Sequence, residues 1–163
     1  MRWIRHLFFD HLALARAFPR ATLAAIERAV GEQEKRHRGE LRVAIEGGLP
    51  LRALVSGRTG RERALEQFAR LRVWDTEENA GVLIYLLLAD RRVEIVADRG
   101  IHARVGEAAW DTICGEMQRE FAANRFEAGM LAGLAAVSDL LAQHFPVQPG
   151  GRRNDLPDAP AVI

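Results

Sequence analysis

A chain of 163 residues with 48% hydrophobic and 28% charged side chains has the size and composition of one globular core, which excludes wholesale disorder. Its 23 basic and 22 acidic residues leave a formal charge of +1, so no global field calls for nucleic acid as a partner. The single cysteine, Cys114, excludes an internal disulfide and any cysteine-pair zinc motif, and it reads as a small core residue on a helix rather than a nucleophile.

The N-terminal run MRWIRHLFFDHLALARAF begins with the positive charge of a secretory signal. His6, Asp10, His11 and Arg16 then interrupt every apolar run before it reaches the roughly 7 to 15 residues that an export signal needs. Ile4, Leu7, His11, Leu14 and Phe18 recur at helical spacing with Phe8 and Ala15 beside them, so residues 1–17 are expected as an amphipathic helix. With Trp3, Phe8 and Phe9 as apolar wedges and Arg2 and Arg5 near phosphates, residues 1–18 have the composition of a membrane-surface contact. No later segment is long and apolar enough to span a bilayer, so the expected location is cytoplasmic, peripheral at the inner membrane.

A charged surface helix is expected over 21–37, burying Leu23, Ile26 and Val30 and stopping near Gly39. Leu41, Val43 and Ile45 then alternate with Arg42, Ala44 and Glu46, which predicts a first strand over 40–46, ended by Gly47-Gly48-Leu49-Pro50. Thr59-Gly60-Arg61-Glu62 has the spacing of a capping box opening a helix with Ala64, Leu65, Phe68 and Leu71 on its buried side. The same stretch lacks the Gly-Lys-Ser/Thr ending of a P-loop.

Val82 to Ala89 carries no charged residue, as a strand covered on both faces requires, and Asp90-Arg91 turns into a second strand over 92–98. Trp110, Ile113, Met117 and Phe121 recur at helical intervals, and a final core helix over 126–145 carries Leu131, Leu134, Val137 and Leu141. Beyond Pro146 the chain is rich in Pro, Gly and charge, so residues 147–163 are expected as a flexible tail or extended arm. The order of elements predicts an α/β fold: a three-layer α/β/α sandwich with a small mixed sheet of about four strands flanked by helices. Two regions then compete as ligand sites. One is the carboxyl end of the parallel strands at Gly47-Gly48 and Ala89-Asp90, and the other is the acidic loop before Val82 with the Asp98-Arg99-Gly100 exit.

Asn79-Ala80-Gly81-Val82-Leu83-Ile84-Tyr85-Leu86, the Asp90-Arg91-Arg92-Val93-Glu94-Ile95 turn and Gly100-Ile101 resemble the signature of the TPM domain, over residues 18–146. The family includes a thylakoid-lumen protein of photosystem II repair, an auxiliary protein of acetylcholine receptors and many bacterial proteins. The resemblance implies an α/β/α sandwich, calcium or another divalent cation as cofactor in some members, and acid phosphatase activity in plant members. The chain departs from the family pattern at two places: the frequent Asp-Asn-Gly is Asn79-Ala80-Gly81 here, and Gly-x-Gly-Leu-Glu is Asp98-Arg99-Gly100-Ile101-His102.

A hard cation takes about six to eight oxygens, largely from carboxylates and carbonyls. Asp75, Glu77, Glu78, Asn79 and Asp98 are the candidate metal ligands, provided the loop folds over the hairpin exit, although their spacing is not that of an EF-hand. The alternative is a solvated acidic loop with Asp98 paired to Arg99 or Arg104. No zinc spacing connects the five histidines, and no serine sits in a nucleophile elbow. Asp98, Arg99 and His102 are the one compact set with the chemistry of phosphate-ester hydrolysis. The expected function is a non-catalytic TPM-type binding or assembly module, associated with membrane through a protein partner and carrying a divalent-metal site. The alternative is a weak, metal-assisted acid phosphatase.

Overall fold

The structure, a computed structural model, describes residues 11–148 and 154–163. Most of the expected membrane-contacting helix, including Trp3, Phe8, Phe9, Arg2 and Arg5, lies outside the described residues, which begin with α1 (His11–Ala17). Pro19 then starts α2 (Arg20–Glu34), whose Thr22, Ile26, Val30 and Glu34 recur every four residues and form its buried edge. Glu34 ends the helix with a role in the sheet, its Oε1 accepting from Leu41 N at 2.7 Å.

Strand β1 (Glu40–Glu46) is buried along its whole length, as is β2 (Gly81–Leu87), and the two run parallel with Leu41 opposite Val82 and Ile45 opposite Leu86. Two short helices, α3 (Leu51–Val55) and α4 (Gly60–Arg70), make the connection. A 3₁₀ turn at Leu88–Asp90, with Arg91 left-handed at φ 52°, returns the chain into β3 (Arg92–Ala97), antiparallel to β2. The chain continues through α5 (Arg99–Val105), α6 (Glu107–Ala122) and α7 (Phe126–His144) to β4 (Ala161–Val162). The sheet order is β3-β2-β1-β4. This is the expected α/β fold: a mixed four-stranded sheet with seven helices packed on it among the described residues.

The sheet divides the core in two. Val43, Ile45, Val82, Ile84, Val93 and Ile95 face α2 and α5 to α7, meeting Ile26, Trp110, Met117, Phe121 and Leu134. Ala44, Leu83, Tyr85, Leu87 and Val96 face the other way, onto Leu54, Ala64, Val73 and Leu156. Both faces of β2 meet apolar core, which is why Val82 to Leu87 reads as unbroken apolar sequence.

Gly81 and Gly100 let backbone approach backbone. A Cβ on Gly81 would stand 1.9 Å from the Val73 carbonyl oxygen, and one on Gly100 would stand 2.6 Å from the carbonyls of both Glu78 and Asn79. The loop over 71–80 therefore lies flat against the entry of β2 and the start of α5.

Residues 147–163 were expected as a flexible tail or extended arm, and their described part is an arm held on the sheet. Ala161 and Val162 pair with Ala44 and Ile45, and Ile163 N donates to Ile45 O at 2.9 Å. The Arg42 guanidinium donates to Pro157 O at 2.6 Å and to Ala159 O, while Leu156 N donates to Glu40 Oε2 at 3.2 Å. Strand β1 would otherwise be an open edge, and the arm satisfies it with a Pro-rich sequence that carries no strand periodicity of its own. Leu156, 7% exposed, anchors the arm in the second core. Leu156→Ala should therefore lower the unfolding free energy by about 2 kcal/mol or more in urea titrations, whereas a free tail would give no change.

Candidate functional site

At the acidic edge, the structure gives four of the five expected ligands a role within the fold. Asp75 is exposed and pairs with Arg72, 2.5 Å between Oδ2 and Nη2. Glu77 is exposed. Glu78 is held by Arg38, which also donates from Nε to Pro146 O at 2.9 Å and so ties the loop to the end of α7. Asn79 is left-handed, φ 53°, a conformation asparagine tolerates better than most residues. Its carbonyl accepts from Gly100 N at 3.0 Å and Ile101 N at 3.3 Å. Asp98 caps the same helix, its Oδ1 accepting from Arg99 N at 2.7 Å.

These contacts have one cause: helix α5, for which no residue pattern prepared the sequence reading, begins at this edge with unpaired N–H groups. Asn79 O and Asp98 Oδ1 satisfy three of them. The second oxygen of Asp98 is buried without a hydrogen-bond partner. Among the described residues no group of three or more His, Cys, Asp or Glu side chains is arranged to hold a metal ion. As arranged, the donor set does not fit calcium: Asp75 and Glu78 each face an arginine, and the Asn79 carbonyl is already used twice.

Asp98, Arg99 and His102 do not converge either. His102 lines a cleft of about 230 Å³ with Arg61, Glu94, Glu107, Trp110 and Cys114, and neither Asp98 nor Arg99 reaches it. Burial in this cleft, reinforced by the nearby Glu94 and Asp111, pushes the Cys114 thiol up to about 11. That disfavours the thiolate on which nucleophilic chemistry depends.

The carboxyl end of the parallel strands is built differently. Ala89 N donates to Gly47 O at 2.9 Å, pinning the two strand exits together. Just inside, Glu46 takes a two-pronged contact from Arg63: Nε reaches Oε1 at 3.1 Å and Oε2 at 2.8 Å, and Nη2 reaches Oε1 at 2.8 Å. Tyr85 OH donates to Oε2 at 2.5 Å. All three residues are buried. The hydrogen bonds that Arg63 donates to Glu46 raise the Arg63 pKa, and burial followed by the Glu46 charge raises that of the Tyr85 phenol.

The pair also sets the rotation of α4. The expected capping box is present, with Thr59 Oγ1 accepting from Glu62 N at 3.2 Å and Glu62 Oε2 accepting from Thr59 N at 2.8 Å. The buried side, however, is Gly60, Arg63, Ala64 and Gln67, and Leu65, expected inside, is 47% exposed. Turning Arg63 inward to Glu46 turns Leu65 outward.

Arg63 keeps one edge for the surface. Its Nη1 lies 3.0 Å from Glu66 Oε1, and Arg58 Nη1 lies 2.6 Å from Glu66 Oε2, at the rim of a cavity of about 390 Å³ lined by Pro50, Arg52, Ala53, Ser56, Arg58, Arg63 and Glu66. Sequence reasoning named this end through Gly47-Gly48 but not its arginines. The signal was three arginines, Arg52, Arg58 and Arg63, within seventeen residues of a strand's carboxyl end.

Glu46→Ala should cost about 3 kcal/mol in denaturant unfolding, because it leaves the buried Nε and Nη2 edge of Arg63 without a partner, with only Glu66 still facing the charge. Cys114 should alkylate with iodoacetamide at pH 8 at least about tenfold more slowly than a free cysteine, for which a pKa near 8.5 holds. Equal rates would mean the thiol is exposed and ionised.

The TPM domain model matches residues 13–140 of the chain. Among solved structures, the NMR structure of the BA42 protein from the psychrophilic bacterium Bizionia argentinensis aligns with 28% identity and a TM-score of 0.77, over 88% of this chain and 93% of that one. The solution NMR structure of the N-terminal domain of a protein from P. gingivalis shares the fold, with 19% identity and a TM-score of 0.61 over 79% and 81% of the two chains. No curated protein matches. With a family model covering most of its length and the sandwich in place, the chain belongs to the TPM domain family.

Proposed function

We propose that this TPM domain is a non-catalytic binding and assembly module that takes a protein partner in a groove beside α1. The observation that carries the reading is an open groove of about 860 Å³ running from α1 to the start of α7. Its floor is apolar, with Ala13, Ala17, Pro19, Leu88, Phe126 and Leu131 among its lining residues.

Most of its polar groups already have partners. Thr22 Oγ1 donates to Glu127 at 2.5 Å, Arg91 donates to Ala122 O and Asn124 Oδ1 at 3.1 and 2.8 Å, and Arg125 is paired with Glu120 at 2.6 Å. A surface with its polar groups satisfied and its apolar floor open suits recognition by shape and burial rather than bond-making. With Arg125 paired to Glu120, Arg16 and Arg91 outnumber Glu127 around the rim, so the partner segment that fits is an amphipathic helix with acidic flanks. Among the described residues no helix is long and apolar enough to cross a membrane.

Metal binding at the acidic edge would require Glu78 to leave Arg38 and Asp75 to leave Arg72. Calcium titration followed by amide NMR measures this directly: saturable shifts confined to 75–81 and 98–102, strengthened in Arg38→Ala, would add a cation to the function. No shifts at about millimolar ion, the range of weak extracellular calcium sites, would remove it.

The partner reading is tested with a photo-cross-linking residue at Ala128. The trapped protein, once purified, should bind the native chain and lose about tenfold or more in affinity against Arg16→Glu, a change that leaves the fold intact. Binding unaffected by Arg16→Glu, or p-nitrophenyl phosphate turnover that disappears in Asp98→Ala, would overturn the reading.

A further inference from the structure

We propose that the carboxyl end of β1 carries a binding site for a phosphate group, built on Arg52, Arg58 and Arg63 around the 390 Å³ cavity. The proposal is independent of the groove beside α1 and of any metal at the acidic edge. It stands on how Arg63 is held. An arginine that is 6% exposed is normally consumed by its partners, yet here the Nε and Nη2 edge is fixed on Glu46 while Nη1 points to the cavity rim. Glu46 and Tyr85, themselves buried, lock the guanidinium so that the edge facing outward needs no reorganisation to meet a ligand.

Glu66 shows what the site accepts. Its carboxylate lies between Arg63 Nη1 at 3.0 Å and Arg58 Nη1 at 2.6 Å, an oxyanion bridging two guanidiniums. The Glu66 side chain is 42% exposed and can turn into solvent when a ligand arrives. Three arginines then stand against Glu46 and the displaced Glu66, leaving one net positive charge together with the freed donors of Arg58 and of Arg63 Nη1 for a phosphate monoester, whose charge is roughly −1.5 to −2. A carboxylate offers one charge and one plane. A phosphate presents oxygens in several directions, and Arg52, Arg58 and Arg63 come from α3, the following loop and α4 respectively. Ser56, with its hydroxyl donating to Ala53 O at 3.1 Å, completes the lining. The position is also where sheets with parallel strands gather ligands. On α3, the exposed Leu51 and Val55 stand four residues apart beside Arg52 and give an apolar moiety of the ligand a place to rest.

The test is a titration of the full chain with inorganic phosphate at constant ionic strength, read by NMR of the backbone amides and the arginine Nε–H groups. Saturable shifts are expected at Ser56, Gly57, Arg58 and Arg63. Arg52→Gln and Arg58→Gln, both exposed and outside the core, should each weaken binding about tenfold, as loss of one charge-assisted contact predicts. Glu66→Gln should tighten binding, because it removes the competing carboxylate, an effect that a purely structural ion pair would not produce. Vesicles of phosphatidylcholine with and without phosphatidic acid separate the sources: binding that requires phosphatidic acid identifies a lipid headgroup, and binding of inorganic phosphate with no vesicle association identifies a soluble phosphate. Absence of both, or binding indifferent to Arg52→Gln and Arg58→Gln, overturns the proposal.

Discussion

The interaction on which most of this molecule depends is the buried pair between Glu46 and Arg63. A carboxylate at the last position of a fully buried parallel strand is unfavourable by several kcal/mol unless its charge and its lone pairs are met. Arg63 meets both oxygens and Tyr85 meets one of them a second time. The consequences spread outward. Arg63 can reach Glu46 only if α4 is rotated to bury Arg63 and Gln67, and that rotation exposes Leu65. The connection between β1 and α4 must then pass over the strand ends, which produces the short α3 and the cavity beside it. Replacing such a pair with apolar residues often stabilises a protein. What the pair supplies here is a single orientation of α4 and of one outward-facing guanidinium edge.

Much of the sheet was legible because its two central strands are extreme cases of a simple rule. The run from Val82 to Leu87 has no polar side because both of its sides are core, and the strand over 40–46 was bounded by a helix stop at Gly39 and by Gly47-Gly48. The capping box at Thr59 and Glu62 was legible for the same reason, since a local hydrogen-bond requirement dictates the spacing. Elements that depend on distant contacts were not. The arm over 154–163 has little propensity for a strand, and it pairs with β1 because Arg42 and Glu40 hold its backbone and Leu156 finds a pocket. Helix α5 is seven residues long with one buried side chain, Ile101, so periodicity has nothing to register.

The missing helix explains the reading of the acidic edge. Without α5, the oxygens of Asn79 and Asp98 look available, and five acidic or amide residues around a strand entrance suggest a cation. With α5 present, its N–H groups are the positive charge nearest those oxygens, and Arg38 and Arg72 account for Glu78 and Asp75. A helix start and a hard cation ask for the same ligands, carbonyl and carboxylate oxygens converging on positive charge, so sequence composition alone does not tell them apart.

The two ends of the sheet therefore differ in how their charges are spent. At the acidic edge, most of the charge is met within the chain. Ala80, which stands where the family frequently has asparagine in Asp-Asn-Gly, is buried and brings only a backbone N–H, which is donated to Thr76 Oγ1 at 3.1 Å. At the opposite end the arginines exceed the acids facing them, and the one surface acid between them, Glu66, is half exposed. Its pKa is held low first by the Arg63 hydrogen bond. A guanidinium edge held by a rigid buried anchor and covered by a half-exposed acid that can swing away is a reason for a ligand, whereas acids paired with the chain's own arginines and helix start are a weaker one. The difference in charge balance, rather than the number of acidic residues, is what directs attention from the acidic loop to the carboxyl end of β1.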